Sequence, residues 1–264
     1  MAYENLTIEK DGHVATVTLN RPDKLNALSV KLMEELCDVA DSFQEDYETR
    51  VVVFQGAGKC FCAGVDLSDP ALQAVSMSGL LERQRRTSIG PRMIEKLHNL
   101  NQITIASIKG GAVGGGAVIA SALDIRIGEE NTFVSYPEIN LGMNLSWYGL
   151  PLCAQLVGPA KAKRLAILGN KENAQKLLHW GFLDKVVFMD DLKNYVKKIA
   201  NNYASKPPVA AQMIKRSVNA LSGALDTSIM HMDTDQFLLT NTSKDFQEGI
   251  QAFLEKRAPE FTGE

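Results

Sequence analysis

A single glutamate near the middle of the chain is the strongest candidate for acid–base chemistry. Glu138 follows an apolar stretch and Pro137, which fixes the backbone and ends a strand. Its neighbours in sequence include the apolar residues Ile139, Leu141 and Met143. A carboxyl group in apolar surroundings has a raised pKa and can transfer protons near neutral pH. A solvent-exposed loop glutamate is the alternative that the local sequence leaves open.

Two glycine-rich segments are candidates for binding an oxyanion. They are residues 61–67 (FCAGVDL) and residues 110–117 (GGAVGGGA), and the second runs into a helical stretch. Glycine lets the backbone approach a ligand closely, and a helix N-terminus offers unpaired N–H groups and a partial positive charge. Together they suit an anion or a developing negative charge on oxygen. Tight packing of a helix on a strand is the alternative explanation.

Other catalytic patterns do not fit the chain. The glycines lack the register of a dinucleotide-binding Gly-x-Gly-x-x-Gly, and no Gly-Lys-Ser/Thr phosphate loop occurs. No Gly-x-Ser-x-Gly elbow is present. The spacing of Cys60 and Cys62 suits neither zinc nor redox chemistry, so no metal site is expected. The four cysteines are expected to be reduced, buried thiols.

The elements that must position these residues alternate between strands and helices. Residues 13–20 alternate apolar and polar side chains, and residues 51–54, 103–108, 123–127 and 132–135 are short β-branched or apolar runs. Ser29 is placed to cap an amphipathic helix that follows it. This alternation predicts an α/β fold with crossover helices.

Helical spacing dominates after about residue 150. The predicted helices cover residues 160–168, 173–178, 192–204, 209–221, 227–239 and 244–254. We therefore predict an α/β core over residues 1–200 and a helical C-terminal region over residues 201–264, where oligomerisation would occur.

Composition narrows the class of protein. The net charge is −3 and the sequence pI about 5.9, which disfavours a nucleic-acid partner because phosphate binding normally needs a basic surface. Residues 112–123 form the most apolar stretch, too short and too rich in glycine to span a bilayer, so no membrane partner is expected. The N-terminal residues lack the pattern of a signal peptide, and a cytoplasmic location is expected.

Five segments, in order, resemble the signature motifs of the crotonase (enoyl-CoA hydratase/isomerase) superfamily. They are residues 20–28 (NRPDKLNAL), 61–67 (FCAGVDL), 110–116 with 122–126 (GGAVGGG and ALDIR), 137–142 (PEINLG) and 253–257 (FLEKR). The resemblance covers essentially the whole chain. It implies a crotonase-like spiral of ββα units with a C-terminal helical trimerisation region, assembled as a homotrimer or homohexamer.

The resemblance also implies an enzyme that acts on an acyl-CoA thioester and stabilises an enolate. By position, the backbone N–H groups of Val65 and Gly115 would form the oxyanion hole, and Glu138 would be catalytic. Coenzyme A would be part of the substrate, with no separate cofactor. Its candidate contacts are Lys24, Ala27, Leu28, Ala63, Asp66 and Leu67, joined by Phe253 and Lys256 from a neighbouring subunit. Candidates for the acyl pocket are Met143, Trp147 and Tyr148, for which ordinary core packing is the alternative.

One departure from the family pattern bears on the reaction. Family hydratases generally use two glutamates, and the second would fall at Val118, which cannot transfer a proton. The alternative family aspartate would fall at Ser146. A single glutamate resembles the Δ3,Δ2-enoyl-CoA isomerases, so an isomerase is favoured. The alternatives are a hydratase with a non-standard second group and a catalytically silent acyl-CoA binding protein.

Overall fold

The computed structural model describes residues 3–264, apart from the side chains of Ser76 and Thr227. The strands are β1 (Leu6–Asp11), β2 (Val14–Leu19), β3 (Val51–Gly56), β4 (Ile103–Ile108), β5 (Gly111–Val113), β6 (Ile125–Glu129), β7 (Phe133–Ser135), β8 (Glu172–Asn173) and β9 (Lys185–Val187). The first eight α-helices are α1 (Val30–Gln44), α2 (Pro70–Ser76), α3 (Leu80–Thr87), α4 (Ile89–His98), α5 (Gly115–Ala122), α6 (Gly149–Val157), α7 (Pro159–Leu168) and α8 (Ala174–Trp180). The remaining ones are α9 (Leu192–Ala204), α10 (Pro208–Ser222), α11 (Thr227–Met230), α12 (Asp233–Thr240) and α13 (Lys244–Glu255). Short 3₁₀ helices cover Pro22–Lys24, Pro137–Leu141 and Met189–Asp191.

The larger sheet has the strand order β1-β2-β3-β4-β6-β9. Strands β1 and β2 form an antiparallel hairpin, and every later neighbour in this sheet pairs in parallel. Parallel strands need crossover connections, which the intervening helices supply. The predicted α/β alternation is therefore confirmed. Strands β1, β8 and β9 were not predicted, and the strand expected over residues 123–127 begins later, at Ile125.

Strand β3 lies in the middle of this sheet and is covered on both faces. Val52 and Phe54 belong to the main core, which also contains α1 and α4. Val51 and Val53 face the other way, into a smaller core that includes Val196 of α9. A parallel strand covered on both faces needs an unbroken apolar run, which is the pattern of residues 51–54.

The smaller sheet positions the residues that drew attention in the sequence. Its order is β5-β7-β8, and β5 lies parallel to β7. Strand β5 lies inside the second glycine-rich segment, which was predicted as a turn without a strand. An isolated bridge joins Cys62 to Ala112, so the first glycine-rich segment runs beside β5. Because β7 leads directly into the 3₁₀ helix Pro137–Leu141, Glu138 emerges next to both segments.

The C-terminal region is helical, as predicted. Residue 200 lies inside α9, whose buried side chains pack on the larger sheet. The single helix predicted over residues 227–239 is wrong, because the backbone turns at His231 and Met232 between α11 and α12. Asp233, the first residue of α12, is hydrogen-bonded to the backbone of Trp147 and Tyr148. Within residues 3–264, no helix has the length and apolar character needed to cross a membrane.

A buried ion pair fastens this helical region to the sheet. Lys215 of α10 donates to a carboxylate oxygen of Asp124 at 2.8 Å and to the carbonyl oxygen of Gln102 at 2.8 Å. The same Asp124 oxygen accepts from the backbone N–H of Thr104 at 2.8 Å. Asp124 belongs to the sequence segment ALDIR, and Arg126 of that segment donates to the carbonyl oxygens of Leu123 and Phe182. That segment is therefore bonded to α10, to β4 and to the residue Phe182 that follows α8.

Replacing Lys215 by methionine is expected to lower the free energy of unfolding by about 3 kcal/mol, because it leaves a largely buried carboxylate without its cation. The side chains of Lys215 and Asp124 are only 4% and 20% exposed. Urea unfolding followed by circular dichroism measures the change. The matched control is Lys197→Met, which breaks a pair with Asp11 whose side chains are 65% and 79% exposed. This control should cost less than about 1 kcal/mol. Equal losses in both variants would contradict the structural role of Lys215.

Candidate active site

The two glycine-rich segments meet at Gly64 and Gly114. Both have positive φ, +89° and +52°. A Cβ on Gly64 would lie 2.9 Å from the carbonyl oxygen of Val113, and a Cβ on Gly114 would lie 3.8 Å from the Cα of Gly64. The two backbones therefore approach each other more closely than side chains would permit. Glycine is required at both positions for its conformation and for its size.

Each of these two glycines is followed by a residue, Val65 or Gly115, whose backbone N–H group is a candidate donor to a ligand. Gly115 is the first residue of α5, so its N–H has no partner within the helix. Leu28 donates to the carbonyl oxygen of Gly64 at 2.7 Å and accepts from the N–H of Asp66 at 3.0 Å, which directs the N–H of Val65 away from this bridge. No hydrogen bond from Val65 N–H or Gly115 N–H to another group occurs in the part of the chain that the structure describes. Both donors are available to a ligand.

The carboxylate of Glu138 lies close to the point where the two glycine-rich segments meet. A Cβ on Gly114 would be 2.8 Å from Glu138 Oε1, so this oxygen is next to the residue that precedes α5. The position is fixed by the backbone, since Gly114 donates to the carbonyl oxygen of Ser135 at 2.9 Å and Met143 donates to the carbonyl oxygen of Glu138 at 3.1 Å. The expected loop is a 3₁₀ helix, Pro137–Leu141, which ends at Gly142 with φ +65°.

The environment of Glu138 favours the neutral carboxyl group. Its Oε2 is buried without a hydrogen-bond partner among residues 3–264. Burial raises the pKa of Glu138 from 4.5 to about 7, and a hydrogen bond from its own backbone N–H opposes the change. A carboxyl group with this pKa can both accept and donate a proton near neutral pH. The arrangement can therefore hold a negatively charged oxygen and move a proton beside it.

The position of the second family glutamate is apolar in the structure. Val118 is the fourth residue of α5 and is only 1% exposed. A Cβ on Gly149 would lie 2.9 Å from Val118 Cγ2 and 3.1 Å from a side-chain carbon of Leu145. Val118 is thus packed among carbon atoms. It contributes shape to the site and no proton.

Trp147 packs directly against the second glycine-rich segment, at the start of α5. A Cβ on Gly115 would lie 2.5 Å from Trp147 Cζ3, and one on Gly90 of α4 would collide with the same indole ring. The indole therefore lies between two helices at positions where both have glycine. Met143 and Tyr148 are partly buried in the same segment, between Glu138 and α6. The three predicted acyl-pocket residues lie on the segment that joins Glu138 to α6.

The candidate coenzyme A residues of the first half form one connected unit. Ala63 donates to the carbonyl oxygen of Leu25 at 3.0 Å, and Leu28 is joined to Val65 by the bridge described above. The unit contains Lys24, Ala27, Leu28, Ala63, Asp66 and Leu67. Lys24 and Leu67 are exposed, whereas Leu28 is fully buried, so its side chain can only support the unit from within.

Arg21 holds this unit together, a role that the sequence reasoning missed. Its guanidinium donates to Asp66 Oδ2 at 2.9 Å and also to the carbonyl oxygen of Ala27. Burial raises the pKa of Asp66, but hydrogen bonds from Ser68 and from Arg21 outweigh it and hold this pKa below its usual value. The Asp66 side chain is therefore committed to the protein. The motif NRPDKLNAL contained Arg21, but nothing in its spacing indicated a partner so far along the chain.

Phe253 and Lys256 are not bonded to this unit within the described part of the chain. Both are exposed on or at the end of α13, and no hydrogen bond or ion pair within residues 3–264 links either one to the unit. Helix α13 instead packs on the segment that carries Glu138. A Cβ on Gly249 would lie 2.5 Å from the carbonyl carbon of Leu141, which makes this contact as close as glycine allows.

The described residues contain no cluster of histidine, cysteine, aspartate or glutamate suited to a metal ion. All four cysteines are free and buried. Burial raises the pKa of the Cys62 thiol to about 12. Cys62 Sγ packs where a Cβ of Gly116 would lie, at 2.8 Å. The thiol next to the second glycine-rich segment is thus a packing group.

The fold and this pairing of glycine turns define a member of the crotonase superfamily. The structure matches an enoyl-CoA hydratase from Mycobacterium avium subsp. paratuberculosis with a TM-score of 0.87 and 27% identity, covering 99% of this chain and 100% of the other. A family model described as enoyl-CoA hydratase/isomerase matches residues 9–264. The chain belongs to the enoyl-CoA hydratase/isomerase family.

Two relatives show the range of activities near this sequence. The chain is 33% identical over 259 residues to the short-chain-enoyl-CoA hydratase of Clostridium acetobutylicum, covering 97% of each protein. It is 32% identical over 251 residues to the 1,2-epoxyphenylacetyl-CoA isomerase of Escherichia coli, covering 95% of each. Relatives named hydratase and isomerase are thus similar to this chain to almost the same degree.

Replacing Glu138 by glutamine should stabilise the fold at alkaline pH. In the folded state the carboxyl group remains protonated up to about pH 7, whereas in the unfolded chain it ionises near 4.5. The wild-type protein therefore loses stability relative to Glu138→Gln as the pH rises from about 4.5 through about 7, by up to about 3 kcal/mol. Urea unfolding at a series of pH values measures this difference. The exposed Glu130 provides the control, since Glu130→Gln should show no such trend. A difference that is flat with pH would refute the raised pKa.

Proposed function

We propose that this chain is a Δ3,Δ2-enoyl-CoA isomerase that uses Glu138 as its only proton-transfer group. The observation that carries the proposal has two parts. One carboxylate oxygen of Glu138 is buried without a hydrogen-bond partner among the described residues, and the position that corresponds to the second family glutamate is the buried, apolar Val118. Isomerisation needs one group that removes and returns a proton. Hydration needs in addition that a water molecule be held and activated.

The proposed reaction begins with the thioester carbonyl oxygen accepting hydrogen bonds from the N–H groups of Val65 and Gly115. Ionised Glu138 then removes a proton from C2 of a 3-enoyl-CoA. The electron pair delocalises into a dienolate whose negative oxygen these two donors stabilise. Glu138, now protonated, returns the proton to C4, and the double bond lies between C2 and C3. The same carboxyl group ends as it began, so the cycle balances.

The raised pKa of Glu138 suits this exchange. With a pKa of about 7, both protonation states are populated near neutral pH. A carboxyl group that is neither strongly acidic nor fully protonated transfers protons efficiently in both directions. Coenzyme A enters as part of the substrate, held by the unit of residues 24–28 and 63–67, where Lys24 is the exposed cation available to a phosphate.

Hydration of a 2-enoyl-CoA is the second candidate function. It is favoured by the name of the Clostridium relative, and it would require a group other than Val118 to hold the water. A silent acyl-CoA binding protein fits less well. A binder gains nothing from a buried carboxylate that costs stability when ionised.

Assembly into a trimer or hexamer is part of the proposal. Helix α10 presents large apolar side chains to solvent in the single chain, namely Val209, Met213, Ile214, Val218 and Leu221. An exposed apolar face of this kind is typical of a surface that is covered by another protein.

Proton exchange in deuterated water tests the reaction. Wild-type protein given a 3-enoyl-CoA should form the 2-enoyl isomer and incorporate deuterium, and Glu138→Gln should lower the rate about 10²–10⁴-fold. Glu130→Gln should behave like wild type. Mass spectrometry and proton NMR identify the products. If a 2-enoyl-CoA yields 3-hydroxyacyl-CoA at a higher rate than double-bond migration, the hydratase is correct and the isomerase is not.

Adding one methyl group at Gly115 tests the oxyanion hole. In Gly115→Ala the new Cβ meets the Trp147 ring and, at 3.0 Å, Leu28 Cδ1, so the first turn of α5 must shift. Loss of one such donor costs about 10²–10³-fold in rate, and a displaced donor should approach about 10²-fold in kcat/KM. Gly79→Ala is the matched control, since Gly79 has an ordinary φ of −61° and no atom lies within 4 Å of its would-be Cβ. Unchanged activity in Gly115→Ala would remove Gly115 from the proposed site.

A further inference from the structure

The segment between Glu138 and α6 contains an unusual backbone turn. Trp147 and Tyr148 both have φ of +60°. Residues with side chains rarely adopt this conformation, and two in succession need compensation from the surrounding structure. The turn also sets the direction of the Trp147 indole, which packs on Gly115 and Gly90.

The compensation comes from one carboxylate in the C-terminal region. Asp233, the first residue of α12, accepts from the N–H of Trp147 at 2.7 Å through Oδ2 and from the N–H of Tyr148 at 3.2 Å through Oδ1. Each carboxylate oxygen therefore takes one of the two N–H groups that the turn exposes. Hydrogen bonds to an ionised acceptor are the stronger kind.

Two further side chains of α12 extend the same attachment. Gln236 accepts from Asn144 Nδ2 at 2.9 Å, and Thr240 Oγ1 accepts from the backbone N–H of Asn144 at 3.4 Å. These residues lie three and seven positions after Asp233, which places all three on one face of the helix. The whole face of α12 is thus bonded to the segment that contains the predicted acyl-pocket residues.

We propose that Asp233 is a positioning residue that fixes Trp147 against Gly115 and so aligns an oxyanion donor from a distance. The path has three steps, from the Asp233 carboxylate to the backbone of Trp147, from that backbone to the indole, and from the indole to Gly115. The proposal deepens the proposed function and rests on it for its kinetic consequence. Its structural part, the fixation of Trp147, is measured separately.

Tryptophan fluorescence isolates the structural part. The chain has two tryptophans, so Trp180→Phe leaves Trp147 as the sole indole. In this background, Asp233→Ala should make Trp147 more accessible to acrylamide quenching, and Asp233→Asn should give an intermediate value because one acceptor oxygen remains. Asp235→Asn is the control, since exposed Asp235 of the same helix bonds only to Gln84 at 3.4 Å among the described residues. Equal quenching in all variants would overturn the proposal.

Steady-state kinetics with the enoyl-CoA substrate test the consequence. Misplacement of a catalytic group by about 1 Å can cost about 10²-fold, so Asp233→Ala should lower kcat between about 10- and 100-fold. The KM should change by a smaller factor than kcat, because no hydrogen bond among the described residues joins α12 to the coenzyme A unit. Loss confined to KM would contradict a positioning role.

If wild-type protein turns over no enoyl-CoA, the proposed function fails, whereas the quenching comparison still decides the fixation of Trp147. If Asp233→Ala does not fold, Gln236→Ala tests the same attachment at Asn144, with increased quenching of Trp147 as the supporting result and unchanged quenching as the contrary one.

Discussion

The close approach of two backbone turns at Gly64 and Gly114 is the constraint on which the rest of the site depends. The backbones of the two segments approach closely there, and each glycine is followed by a residue whose N–H has no partner among the described residues, which makes both N–H groups candidate donors to one ligand atom. Backbone donors held by a bridge and a helix N-terminus need little reorganisation when charge develops on that atom. Two pairings, of β5 with β7 and of Cys62 with Ala112, hold the two segments in the register that places Gly64 against Gly114.

The same close packing accounts for the raised pKa of Glu138. Its carboxylate lies against Gly114, where the packing that brings the donors together also excludes water from one of its oxygens. Desolvation is therefore the cause of the raised pKa, and no neighbouring anion is needed. A group poised in this way weakens the fold when it is ionised. This is a familiar trade between stability and activity at functional sites.

Sequence patterns predicted the parts of the molecule that depend on neighbouring residues. The alternation of residues 13–20 gave β2, and Ser29 caps α1 as expected, accepting from the N–H of Leu32 at 3.2 Å. The position of Glu138 after a strand and the identity of the glycine turns were also readable, because proline and glycine act on their own backbone.

What the sequence did not indicate depends on contacts between distant segments. Strands β8 and β9 are only two and three residues long and exist because a neighbouring strand pairs with them. The break between α11 and α12 interrupts a continuous helical pattern, and the attachment of Asp233 to Trp147 has no local signature. The role of Arg21 was hidden for the same reason, since its partner Asp66 lies in another segment.

The packing of α13 against the Glu138 helix has a consequence for the order of events during protein synthesis. The chain emerges from the ribosome from its N-terminus, and the glycine turns and Glu138 are made well before α12 and α13. The segment that contains Glu138 is contacted at Leu141 by Gly249 of α13. We expect a nascent chain to pair its strands before this support for Glu138 is in place. The last helices of the chain therefore complete the surroundings of this candidate proton-transfer group only after the residues that form both sheets have been made.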